Sequence, residues 1–140
     1  MDRAIVFFLA IILIVGALLF ALISNISKKG AKKLDVEHFR TKCLEIEHKL
    51  KKDEPSSYHL SVLDADKLVD CVLKARGVKG ETMGERMKNS VSLFSDRNGV
   101  WMAHKLRNRI AHESDAKVSY DEARYALLAF RKALKDLGAI

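Results

Sequence analysis

Apolar positions along the chain fall into one uninterrupted block followed by stretches in which they recur at helical spacing. The block, Ala4 to Ile23 (AIVFFLAIILIVGALLFALI), is uncharged and apolar for twenty residues. At about 1.5 Å per residue it would rise about 30 Å, the thickness of a bilayer core. A cleaved signal peptide would have a shorter apolar core and a small-x-small cleavage site, which ALISNIS does not clearly offer. A buried core helix in so small a protein would not be apolar on every face. The pattern predicts one transmembrane helix within an anchor spanning residues 1–24.

Downstream, residues 34–52 carry Val36, Phe39, Cys43, Ile46 and Leu50 at alternating spacings of three and four. That narrow stripe predicts a helix, either laid on the outside of a bundle or forming a short dimerising seam. Residues 56–76 carry a broad apolar face of Val62, Ala65, Leu68, Val69, Val72, Leu73 and Ala75, with Gly77 placed to end the helix. Thr82 and Glu85 form a capping box that opens a short helix, with Met83, Met87, Val91 and Phe94 expected inward. Asp96 to Gly99 (DRNG) is expected as a turn. Ser119 and Glu122 form a second capping box before a final helix with Ala123, Ala126, Leu127, Phe130, Leu134 and Leu137 on one face. The fold class is therefore all-α: a single transmembrane helix followed by a bundle of four to five helices over residues 34–140.

One stretch places polar groups in a way that solubility does not explain. Val100 to Glu113 (VWMAHKLRNRIAHE) reads as an amphipathic helix at about 100° per residue. Val100, Met102, Ala103, Leu106, Ile110 and Ala111 fill one arc, and Trp101, Lys105, Asn108, Arg109 and His112 fill the other. Arg107 falls inside the apolar arc, where it costs free energy unless a carboxylate, phosphate or carbonyl meets it. His104, Asn108 and His112 follow one another at i, i+4 and line up along one edge.

Charge adds orientation and removes one inference. The chain carries 25 basic and 18 acidic residues, net +7, of which residues 1–33 hold five basic and one acidic. The remaining 107 residues are only mildly basic, so the high isoelectric point is no argument for nucleic-acid binding. Residues 25–33 form a basic juxtamembrane linker. Lys28, Lys29, Lys32 and Lys33 there predict contact with the lipid surface. By the positive-inside rule they also predict an inner-membrane protein with its N-terminus outside and its C-terminal domain in the cytoplasm. Cys43 and Cys71 lack a CxxC pair and suggest neither a zinc site nor a disulfide; buried free thiols are expected. No metal or cofactor signature is present.

The run Arg107-Asn108-x3-His112, inside a helical domain of about a hundred residues, resembles the signature of the HEPN superfamily: an arginine, a polar residue and a histidine four to six positions beyond the arginine. The resemblance could cover residues 34–140. The stretch from Gly80 to His112 also resembles small membrane-anchored proteins of reduced-genome bacteria. What the HEPN resemblance implies is a homodimer in which the motifs of two protomers face each other, and, in many members, metal-independent RNA cleavage. Carried onto this chain, His112 would be the general acid or base, Arg107 the phosphate clamp, and Asn108 a group that orients the imidazole or binds phosphate. His104, Lys105 and Arg109 lie outside the motif and are expected to add RNA or phosphate contacts.

The chemistry is coherent. Attack of a 2′-hydroxyl on its own phosphate needs a base that titrates near neutrality and a cation over the phosphorane. The geometry sets a difficulty. Five residues along a continuous helix separate Arg107 and His112 by about 140° and about 7.5 Å. Either the helix ends near Ala111 or the site is shared between protomers. Two function classes stay open: a membrane-tethered, metal-independent ribonuclease, and a non-catalytic module that binds RNA, a nucleotide or a protein partner, or dimerises structurally. Arg107 paired with a carboxylate of its own chain, Glu85 or Asp70 for instance, would favour the structural end of the second class.

Overall fold

The computed structural model describes the backbone of residues 3–28 and 34–140, and the side chains of residues 3, 5–21 and 34–140. Six α-helices follow one another, with no strand among the described residues: α1 (Arg3–Lys28), α2 (Val36–Lys49), α3 (Pro55–Ala75), α4 (Met83–Asn89), α5 (Arg97–His112) and α6 (Tyr120–Asp136). The chain divides into two compact units, Met1–Lys32 and Lys33–Ile140.

α1 is helical over 26 residues and turns its described large apolar side chains outward, among them Phe7, Phe8, Leu13 and Phe20. No helix among the described residues is long and apolar enough to cross a membrane. The expected single-pass anchor is corrected on this finding, and with it the inner-membrane placement and topology that depended on it. Lys29, Lys32 and Lys33, Gly30 and the side chain of Lys28 lie outside the described residues, as does most of the 25–33 linker.

In the second unit α3 is the pivot, packing against α2, α4, α5 and α6. Pro55 sits in its first turn, where a missing N–H costs nothing. Val62, Val69, Val72 and Leu73 then bury completely or nearly so. α6 answers with Ala123, Ala126, Leu127, Phe130 and Leu134, all buried as the spacing predicts. Removing Leu73 or Phe130 from water contributes about 1.5–3 kcal/mol each. The far end is closed by Gly138 (φ 63°), where a Cβ would stand 2.8 Å from the Arg76 guanidinium. That guanidinium donates to the Leu137 carbonyl, tying the end of α3 to the end of α6.

Both capping boxes form: Thr82 accepts from the Glu85 N–H and Ser119 from the Glu122 N–H, with each glutamate reaching back. The stripe on α2 is spent inside its own chain. Cys43 and Ile46 are buried, and Phe39 and Leu50 pack against the core. The helix is therefore an outer layer of the bundle, with Val36 the one exposed member of the stripe.

Three local expectations are corrected. Asp96 to Gly99 is the start of α5 and not a free turn, because the Asp96 carboxylate caps the helix by accepting from the Gly99 N–H at 2.8 Å. Val91 belongs to a short 3-10 turn and is exposed, whereas Phe94 is buried as expected. Cys71 is exposed; Cys43 is buried, and burial, with Glu47 beside it, pushes its thiol up to about 11.

Candidate functional site

The arginine placed by sequence on the apolar arc of α5 does find a carboxylate, but neither of the two expected. Asp70 is taken by Arg86, whose Nε donates to it at 2.6 Å, and by Lys74 at 2.7 Å. Burial would raise the Asp70 carboxyl, but the hydrogen bonds from Arg86 and Lys74 outweigh it and hold the group below the ordinary range. Glu85 is taken by the backbone N–H groups of Glu81 and Thr82 in the capping box. What remains is Asp66, on α3 and 3% exposed. Its Oδ2 lies 3.4 Å from Arg107 Nε, and its Oδ1 lies 2.7 Å from His104 Nδ1.

Asp66 thus joins two side chains of α5 that stand at i and i+3, on one face of the helix. A carboxylate accepts only, so the contact calls for a proton on Nδ1, and Nε2 makes no hydrogen bond among the described residues. His104 is buried, whereas Arg107 keeps 36% of its side-chain surface exposed. Burying an acid beside a guanidinium and an imidazole N–H offsets the cost that an isolated carboxylate would bear there.

These groups line a cleft of about 830 Å³ between α3, α4 and α5. The acids in its wall are mostly occupied: Asp66 and Asp70 as described, Glu85 in the capping box, and Asp64 by Lys49 at 2.9 Å. Lys67, Lys88 and Lys105 also line it and make no ion pair among the described residues, against one comparable acid, Glu81. Trp101 forms part of the same wall, its ring centroid 5.9 Å from that of His104.

The other expected residues separate. Asn108 lines the cleft, but its Oδ1 accepts from Arg107 Nη1 at 3.0 Å, so it braces the arginine and does not orient His112. Arg109 points the other way, into a second groove of about 610 Å³ between α5 and α6. It donates there to Glu122 at 2.8 Å and to the Lys117 carbonyl at 3.3 Å. The Glu122 carboxyl is lowered to about 2, first by the Ser119 backbone N–H and then by Arg109. The expectation that Arg109 contacts phosphate beside Arg107 is corrected: it is a brace between helices. His112 is the exposed last residue of α5 and makes no hydrogen bond or ion pair among the described residues. The helix runs unbroken through residues 107–112, so the separation of about 140° and about 7.5 Å stands and one chain does not bring Arg107 and His112 together.

Sequence reasoning missed Asp66, although a signal was present. It falls about 40° from Val62 and about 20° beyond Leu73 on the α3 helical wheel, at the edge of the broad apolar face, a weaker form of the anomaly that singled out Arg107. It also missed Arg86, which is buried at 5% exposure against Asp70 and the Gly80 carbonyl.

No family model, curated protein or solved structure matches this chain. The resemblance to the HEPN superfamily is corrected accordingly: a short Arg-Asn-x3-His run recurs by chance in helical proteins, and the family model does not match. The resemblance to membrane-anchored proteins of reduced-genome bacteria is corrected with it, since no relative matches and no bilayer-spanning helix is present among the described residues.

Proposed function

We propose that the α3–α4–α5 cleft is a non-catalytic binding site for a phosphate-bearing ligand, a nucleotide or single-stranded RNA, held by Lys67, Lys105 and Arg107. The observation that carries this reading is the sorting of charge in the cleft wall. Four of its five acids are committed to partners and Glu81 is not, while three lysines and the outer edge of a guanidinium are uncommitted. Arginine's planar fork suits phosphate oxygens, and the lysines add point charges around it. Trp101 offers an aromatic wall of the kind on which bases stack.

Fluorescence anisotropy of a labelled single-stranded RNA on the full-length chain tests the reading. Arg107→Ala and Lys105→Ala should each weaken binding and flatten its salt dependence by about one unit of slope. Binding that is absent at low salt, or indifferent to both substitutions, removes the proposal.

A second reading rests on His112, whose exposed and uncommitted imidazole leaves room for a metal-independent ribonuclease site shared between two protomers of a homodimer. Such an enzyme would cleave RNA in EDTA and yield 2′,3′-cyclic ends. His112→Ala and Arg107→Ala would each abolish cleavage, and mixing the two variants would restore part of it. Absence of cleavage under conditions where the chain is dimeric leaves the binding reading alone.

A further inference from the structure

Among the cleft groups with an unused hydrogen-bonding position is His104, a buried imidazole held from behind by a carboxylate. Its side chain is 9% exposed, Nδ1 is held by Asp66 at 2.7 Å, and Nε2 has no partner among the described residues. Nε2 is not among the side-chain atoms sealed from solvent without a partner, so it opens to the cleft. What keeps it open is Gly84, in the first turn of α4. A Cβ placed there would stand 3.7 Å from Nε2, in ordinary van der Waals contact. The side chain that would cap the imidazole is the one this position lacks.

Resting on the phosphate-binding reading above, we infer that His104 Nε2 is a direct ligand contact. The cleft then takes a phosphomonoester, either a mononucleotide or the 5′-phosphate of an RNA end, and takes up a proton as it does so. A monoester presents a charge of about −1.5 to −2 near neutrality, and a phosphodiester only −1. The dianion rewards a second N–H donor beside the guanidinium. Protonating Nε2 provides that donor, and Asp66 stabilises the imidazolium from the opposite side of the ring.

The charges around the ring fix the sign of the coupling. From α3, Asp66 favours the protonated ring and Lys67 opposes it. From α4, Arg86 is neutralised by Asp70, and Glu85 is turned to the backbone of the capping box. On α5 itself Arg107 shares Asp66 with the imidazole, and Lys105 stands on the rim. Ligand-free, the cations Lys67, Lys88, Lys105 and Arg107 oppose a further positive charge, with Glu81 the one uncommitted acid among the described wall residues. Once a dianion offsets them the balance reverses, so ligand and proton bind together.

Two substitutions separate the contact from the fold. His104→Asn keeps an N–H donor where Nδ1 was, and so keeps the bond to Asp66, but deletes Nε2. Gly84→Ala leaves the imidazole intact, adds a residue that favours helix, and covers Nε2. Calorimetric titration of the full-length chain with adenosine 5′-monophosphate, in two buffers of different ionisation enthalpy at pH 6 and pH 8, reads affinity and proton uptake together. The wild type should take up more protons than His104→Asn at pH 8, where the phosphate is already a dianion in both and releases no proton; at pH 6 the monoester's own proton supplies part of the uptake. Both variants should lose at least tenfold in affinity at pH 6 and less at pH 8, with unchanged melting for His104→Asn and equal or higher melting for Gly84→Ala.

A 5′-phosphorylated RNA oligonucleotide and its 5′-hydroxyl counterpart distinguish the two sources of the monoester: a preference for the phosphorylated end over the free nucleotide assigns the site to RNA termini. Wild type that binds the nucleotide with the same proton uptake as His104→Asn overturns this inference and leaves the phosphate-binding reading standing. Wild type that binds neither nucleotide nor RNA overturns both.

Discussion

The two faces of α5 answer the same amphipathic pattern in opposite ways. Toward α3 and α4 the helix buries a histidine and half-buries an arginine on one carboxylate; toward α6 it leaves Met102 62% exposed in a groove that also exposes Tyr125 and Leu128. On the cleft side polar groups lie inside and are paired. On the groove side apolar groups lie outside, and the ion pair between Arg109 and Glu122 sits at the surface. A buried ion pair is expensive to break because its partner is stranded away from water. A surface pair is cheap to break because solvent replaces it. The same residue types on one helix therefore carry different energetic weight according to face.

Removing Asp66 should have the largest effect. Asp66→Ala strands His104 and leaves Arg107 without its counter-charge. The expected loss is about 3 kcal/mol in urea unfolding, at the low end for a broken buried pair because Arg107 can turn to water. A loss below about 1 kcal/mol would put the two faces on the same footing and break the comparison. Arg107→Ala is expected to separate the roles: about 1 kcal/mol of stability at most, since the guanidinium is more than a third exposed, but a clear drop in RNA or nucleotide affinity.

On the groove side Met102→Ser should change stability by no more than about 0.5 kcal/mol, since the side chain is already largely in water. A comparably small effect belongs to Glu122→Gln. The native carboxyl is lowered from its ordinary 4.5 to about 2, so its contribution is present above 4.5 and lost as the pH falls toward 2. Glu122 is 45% exposed, and screening keeps the loss below about 1 kcal/mol. In Glu122→Gln that part of the acid slope should vanish, while stability between pH 6 and 8 changes only slightly.

How much of this could be read beforehand follows from how local each signal is. Capping boxes at Thr82 and Ser119 and the apolar faces of α3 and α6 are set within a turn or two of chain, and they were legible. So was the demand that Arg107 meet a carboxylate. Which carboxylate was not, because that is settled by competition: Arg86 takes Asp70, the α4 N-terminus takes Glu85, and Asp66 is left. The assignment of Asn108 and Arg109 failed for the same reason. Neighbours in sequence on a helix face about 100° apart, so Arg109 was drawn to Glu122 on α6 and away from Arg107. The bilayer-spanning helix was read from the length and apolarity of one block, and no helix among the described residues is long and apolar enough to cross a membrane.

The central claim is that a buried carboxylate fixes His104 so that Nε2 faces an open, phosphate-binding cleft. Nitrogen-15 spectra of the histidine rings, recorded with and without adenosine 5′-monophosphate, test it directly. The account predicts that His104 carries its proton on Nδ1 before ligand is added, and that its Nε2 resonance moves toward the protonated position on titration while that of His112 stays still. A His104 ring protonated on Nε2 at the outset, or one that ignores the nucleotide while His112 responds, would contradict it.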